Sequence, residues 1–155
     1  MKTRFDPRHR RRIKVVFDLF RWSFKKQKIG LLAKKIINCM TQVDEMIKKA
    51  APEWPVDKIA KIDLAILRLA VYELSIVRQV PPKVIIDEAV ELAKEFGSEK
   101  SASFVNGALG AVLRWQSTAL RTDLRSKALL AKHQEALLLP EKCSQIRAKE
   151  GGTGN

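Results

Sequence analysis

Residues 59–77 read IAKIDLAILRLAVYELSIV, a stretch apolar around almost its whole circumference, with Asp63, Arg68 and Glu73 as isolated charges. A helix of that kind is stable only when neighbours cover every side of it, so this segment predicts the buried centre of a helical bundle. Immediately before it, Pro52 and Pro55 flank Trp54. Each proline removes a backbone donor and biases its predecessor away from helix, so residues 51–56 read as a connector pinned by the indole. After it, Pro81 and Pro82 fit the first turn of another helix, and Gly97 stops that helix where a positive φ is wanted. Between them Ile85, Ile86, Ala89, Val90, Ala93 and Phe96 form a core face. Asp87, Glu88, Glu91 and Glu95 form an acidic outer face, either plainly solvated or a docking surface for a basic partner.

Beyond Gly97, Ser98 or Ser101 can cap a last core helix carrying Phe104, Val105, Ala108, Leu109, Val112 and Trp115 at helical spacing. Asn106-Gly107 is a hairpin signal in isolation, but its flanks are helical and not alternating, so the helix is read through it. A glycine there costs about 1 kcal/mol relative to alanine, which predicts a close approach by another backbone or a ligand. Toward the amino end, Leu32, Ile36, Met40, Val43 and Ile47 share one stripe of a single helix over residues 29–50. A first helix begins after Pro7, with Val16, Phe17, Leu19, Phe20 and Phe24 as its core positions. The predicted class is therefore all-α, a compact bundle of about five to seven helices. Residues 1–12 form a basic arm, unstructured until bound; residues 13–116 form the helical domain. In residues 117–155, Leu120, Leu124, Ala128 and Ala131 allow a further amphipathic helix, while Pro140 and the final GGTGN predict a frayed end.

A chain of 155 residues with 46% hydrophobic and 30% charged side chains suits one domain with its own core and a wetted surface. Its net charge of +13 is unevenly placed. Residues 1–28 hold eleven Lys and Arg against two Asp, whereas residues 29–116 hold twelve against eleven. A block of like charge repels itself unless a polyanion compensates it, so the expected partner is nucleic acid or an anionic membrane surface, the alternative being a solvated tail that aids solubility. Cys39 and Cys143 lie far apart without zinc-type spacing and read as plain thiols. No apolar run approaches the roughly 18 residues of a membrane span, and the basic amino terminus lacks a following apolar core. The expected location is the cytoplasm, with no membrane contact.

No Gly-rich phosphate loop, GxSxG or HExxH is present, and His9 and His133 sit in charged segments, so neither catalysis, nor a cofactor, nor a metal is expected. The candidates for RNA recognition are Arg8, Arg10, Arg11, Arg12 and Lys14, because guanidinium groups pair bidentately with phosphates and stack on bases. Phosphate contacts carry no sequence preference. Phe20, Phe96 and Phe104 would supply stacking surfaces wherever they reach solvent.

The segments IDLAILRLAVYEL (62–74), PPKVIIDEAVELAKEFGSE (81–99) and FVNGALG (104–110), in that order and spacing, resemble the carboxyl-terminal half of the bacterial NusB family. RHRRRIKVVFDLFRW (8–22) is similar to that family's arginine-rich first helix. The resemblance implies two packed helical subdomains and binding of single-stranded boxA RNA. It also implies pairing with the ribosomal protein NusE, and through the pair an effect on RNA polymerase that suppresses termination on ribosomal RNA operons. By position it adds Lys100 to the RNA face beside Arg8, Arg10, Arg12, Phe20 and Phe104, with Arg68 and Phe96 as further members. Asp63 falls where an acidic residue of the family approaches NusE, or it caps the buried helix. The stretch between the first helix and Ile59 is about one helix shorter than in the family, a shortened amino-terminal subdomain, and residues after about 116 have no family counterpart. A helical RNA-binding scaffold or ribosome-assembly factor is the alternative reading.

Overall fold

The computed structural model describes residues 6–137, with side-chain surroundings as far as residue 132. Within them are six α-helices and no strand: α1 (Pro7–Phe24), α2 (Leu31–Asn38), α3 (Met40–Ala50), α4 (Lys61–Tyr72), α5 (Pro82–Phe96) and α6 (Ser101–Leu137). The all-helical expectation is met. The chain divides into two compact units, residues 1–116 and 117–155.

In the first unit, α4 is the hub. Every residue from Asp63 to Tyr72 is buried, because α1, α3 and α5 pack along it and α2 touches it as well. Val15, Val16 and Leu19 of α1, Ile36 of α2, Val43 and Ile47 of α3, Ile85 and Leu92 of α5 and Val105 and Leu109 of α6 complete one core with it. Each such aliphatic side chain contributes on the order of 1.5–3 kcal/mol on leaving water. Past Tyr72 the helix widens into a π-type turn, Glu73–Val77, in which the Arg78 N–H donates to the Glu73 carbonyl at 2.9 Å.

Four sequence expectations are corrected here. Residues 29–50 are two helices and not one, because the backbone breaks at Cys39 (φ −101°, ψ 10°), and both halves still reach α4. Gly97 has φ −93°, so it needs no positive φ; it is tight because a Cβ would lie 2.5 Å from the Ser101 Cβ and 2.6 Å from the Ala93 carbonyl oxygen. The left-handed residue is Arg78 (φ 52°), which ends the π-type turn. Gly107 has nothing among the described residues within 4 Å of where its Cβ would stand, so no other described backbone approaches it there. Phe24 and Trp115, read as core, are 68% and 44% exposed: Phe24 closes α1 with its ring edge-on to Phe20 at 5.1 Å.

In the second unit, α6 continues to Leu137 and every side chain described from 117 to 132 is exposed, including Leu120 and Leu124. Residues 1–5 of the expected arm, the side chain of His133, Pro140, Cys143 and the GGTGN end lie outside the described residues. No helix among the described residues is long and apolar enough to cross a membrane, and no group of three or more His, Cys, Asp or Glu among them is placed to hold a metal ion.

Candidate functional site

Asp6 sets the start of α1. Its Oδ1 accepts the Arg8 N–H at 2.8 Å, and Pro7 occupies the first helical position, a combination that uses two of the ordinary helix-start devices. The basic run is therefore helical from Pro7 onward, as expected of a first helix that begins after Pro7, and residues 8–12 are not an unstructured arm. A helix sends consecutive residues in different directions, and the five candidates separate accordingly. Arg8, Arg10, Arg11 and Lys14 are exposed. Arg12 is 8% exposed; its Nε and Nη2 donate to the two carboxylate oxygens of Glu73, each at 3.1 Å, and Glu88 stands 3.9 Å away. Arg12 thus forms an internal ion pair that seats α1 on the turn after α4, which corrects its place among the candidates for RNA recognition.

His9 faces the same way. Its Nδ1 lies 2.8 Å from Glu88 Oε2 and its Nε2 3.3 Å from Glu95 Oε2. Burial by itself would lower the imidazole pKa, but hydrogen bonds to Glu88 and Glu95, and their negative charge, outweigh it and raise the pKa above its ordinary 6.5. Glu88 is accordingly no part of a solvated acidic face: it is 5% exposed, because it shares the helical face of Ile85, Ala89 and Leu92. Asp87, Glu91 and Glu95 remain outside.

Arg68 is also turned inward. It is 9% exposed and forms a bidentate pair with Asp44 of α3, both bonds at 2.8 Å, which removes it from the exposed candidates. Phe96 is half-buried with its ring edge-on to Phe17 at 5.0 Å, and Phe20 is half-buried beside Phe24.

The remaining candidates meet at the starts of α4 and α6. A cleft of about 280 Å³ there is lined by Trp54, Lys58, Asp63, Lys100, Ser101 and Phe104, among others. The Trp54 and Phe104 rings stand edge to face, centroids 6.2 Å apart, and Lys58 and Lys100 are both exposed beside them. Asp63 does not project outward. Its Oδ2 accepts the Ser101 Oγ hydrogen at 2.9 Å, and Ser101 Oγ in turn accepts the Ser98 N–H at 2.8 Å, so the carboxylate ties the first turn of α4 to the cap of α6. Sequence reasoning missed Trp54 and Lys58 as members of this cleft. The signal was a tryptophan held between two prolines, read only as a pin for the connector.

A model of the NusB family matches residues 19–114, from the second half of α1 into α6. The chain belongs to the NusB family. The transcription antitermination protein NusB of Chloroflexus aggregans is 53% identical over 73 residues, which are 46% of this chain and 49% of that protein. The chain thus spans about half the length of that curated relative. Among solved structures, NusB of T. maritima is similar at 31% identity with a TM-score of 0.62, over 74% of this chain and 93% of the other. A complex of the antitermination factors NusB and NusE with dsRNA matches at 24% identity and a TM-score of 0.59, over 70% of this chain and 98% of the other, a likeness of fold alone. Phe20, Asp63, Arg68, Phe96, Lys100 and Phe104 fall inside the segment matched to the NusB family, whereas Arg8 through Lys14 precede it.

Proposed function

We propose that this chain is an RNA-binding transcription antitermination factor. It takes single-stranded, boxA-type RNA together with the ribosomal protein NusE, and through that pair it promotes processive transcription of ribosomal RNA operons. It works by contact and not by catalysis. The observation that carries the reading is the cleft at the starts of α4 and α6, which two aromatic rings and two lysines line together. Unpaired bases stack on aromatic faces and phosphates seek cations, so one small site offers both halves of single-strand recognition. Arg8, Arg10, Arg11 and Lys14 add the sequence-independent share of affinity from α1. The solved complex of NusB with NusE and dsRNA supports NusE and RNA as the classes of partner.

The test is a fluorescence-anisotropy titration of boxA RNA and a scrambled control at fixed salt, with and without NusE. Tighter binding to boxA, strengthened further by NusE through linkage, is the expected result. Equal binding to both RNAs, indifferent to NusE, overturns the antitermination reading in favour of a helical RNA-binding scaffold or ribosome-assembly factor.

A further inference from the structure

Past Gln116, α6 carries leucines that nothing among the described residues covers. Every side chain described from residue 117 to 132 is exposed, Leu120 at 53% and Leu124 at 65%. A helix in water is held mainly by the apolar face it buries, and this stretch buries none against a described residue. Its side chains are nevertheless sorted around the axis. At roughly 3.6 residues per turn, Leu120, Leu124, Ala128 and Ala131 share an arc of about 80°. Arg121, Arg125 and Lys132 share an arc of about 40° directly beside it. The opposite flank holds Asp123 and Lys127, which neutralise each other at 3.2 Å. Arg121 and Arg125 have no such partner among the described residues. The stretch therefore presents an apolar stripe with uncompensated positive charge along one side only.

We propose that residues 117–132 are a ligand helix for another protein, one whose apolar groove receives Leu120 and Leu124 and whose acidic rim pairs with Arg121, Arg125 and Lys132. Charge selects this occupant. The chain carries +13, so a second copy would bring its own excess of cations against these. A flat anionic bilayer rewards cations on both flanks of the stripe, and here one flank is self-neutralised. RNA would pair with the arginines and leave the leucines in water. An acidic groove satisfies both halves of the surface. Helix-in-groove recognition reads apolar anchors at i, i+4 and further turns, the spacing of Leu120, Leu124 and Ala128. Arginine and lysine stems lie along the apolar seam while their charged heads reach a rim of carboxylates, which fixes register and partner choice. The surface lies beyond residues 19–114, the segment matched to the NusB family. It shares no residue with the Trp54–Phe104 cleft, so it stands independently of the RNA reading.

The experiment titrates the full chain into two labelled synthetic helical peptides of identical composition. One places glutamates beside a leucine stripe, and the other places them on the face opposite the leucines. The first should bind at least about tenfold more tightly, because only it offers an apolar seam and an acidic rim together. Leu120→Ser and Leu124→Ser should each weaken it about tenfold, the scale of one leucine left in water. Arg121→Gln and Arg125→Gln should each weaken it by up to about fivefold, a loss that shrinks as salt screens the rim. Lys48→Gln on α3 should change nothing, and unfolding midpoints equal to the unmodified chain's confirm that the exposed substitutions do not act through folding. Equal binding of the two peptides, or binding of neither, overturns the proposal. So does each result that assigns the stripe elsewhere. These are binding to phosphatidylglycerol vesicles that is lost in Leu124→Ser, a dimer in sedimentation that Leu120→Ser dissolves, and an RNA salt slope lowered by Arg121→Gln. Peptide binding that appears only when residues 138–155 are removed assigns the stripe to the chain's own end and overturns the proposal as well.

Discussion

His9 is the residue whose state the solvent controls. Its imidazolium bridges Glu88 and Glu95 on α5, with Arg12 and through it Glu73 close behind. A histidine whose folded pKa is raised contributes stability fully below its unfolded value of about 6.5, and that contribution is lost as pH rises through the folded value. Urea midpoints of the chain and of His9→Gln should thus differ most near pH 6 and converge at alkaline pH. A gap that widens with pH would show the neutral ring, and not the imidazolium, to be the partner of Glu88. Gly97 is governed by space rather than charge. Gly97→Ala places a methyl group 2.5 Å from the Ser101 side chain and 2.6 Å from a carbonyl oxygen, and backbone cannot yield as a flexible side chain would. A loss of about 1–3 kcal/mol in denaturant unfolding is expected, the range typical of overpacking. The loss should be accompanied by weaker RNA binding at Phe104 if the cap of α6 shifts with Ser101.

Among the helices, α6 contains the simplest reversal of an expectation. Gly107 sits exposed within it, with no neighbour near its missing Cβ, so Gly107→Ala should gain about 1 kcal/mol from helix propensity alone. Calorimetry of the variant checks this, and RNA titration of the same sample reports whether a ligand needs the gap that the fold does not. The reasons some elements were readable are physical. α4 was legible because a helix apolar on all sides has one place to go, and α5 because two prolines open it and a glycine closes it. The break at Cys39 was not, since neither glycine nor proline marks it and the stripe from Leu32 to Ile47 keeps helical spacing across it. Arg8, Arg10, Arg11 and Arg12 likewise look alike in sequence. What separates Arg12 is Glu73, a partner 61 positions away, and what hides Arg68 is Asp44, 24 positions back. The partnership of Trp54 with Phe104 is of the same long-range kind.

For the molecule as a whole, the core residues all belong to the unit of residues 1–116, while residues 117–132 expose every side chain described. A chain ended after Gln116 should therefore unfold at the midpoint of the full chain to within about 0.5 kcal/mol, the usual scale for changes away from packed features. A fall of several kcal/mol would show that the later residues support the core after all. The placement of α4 at the centre also governs how the molecule comes together in time. Helix α1 is made first, yet the surface that receives Val15, Val16 and Leu19 is completed only when Tyr72 has been joined. Until then α1 has only α2 to rest on, and much of its apolar stripe waits in solvent beside a row of cations. Joining them means closing a loop that spans residues 25–60, an entropic cost that grows slowly with length but precedes any reward from packing. The slow event in folding should be that closure rather than the winding of any one helix. A nascent chain can thus expose Arg8, Arg10 and Arg11 to RNA before the body that orients them has formed.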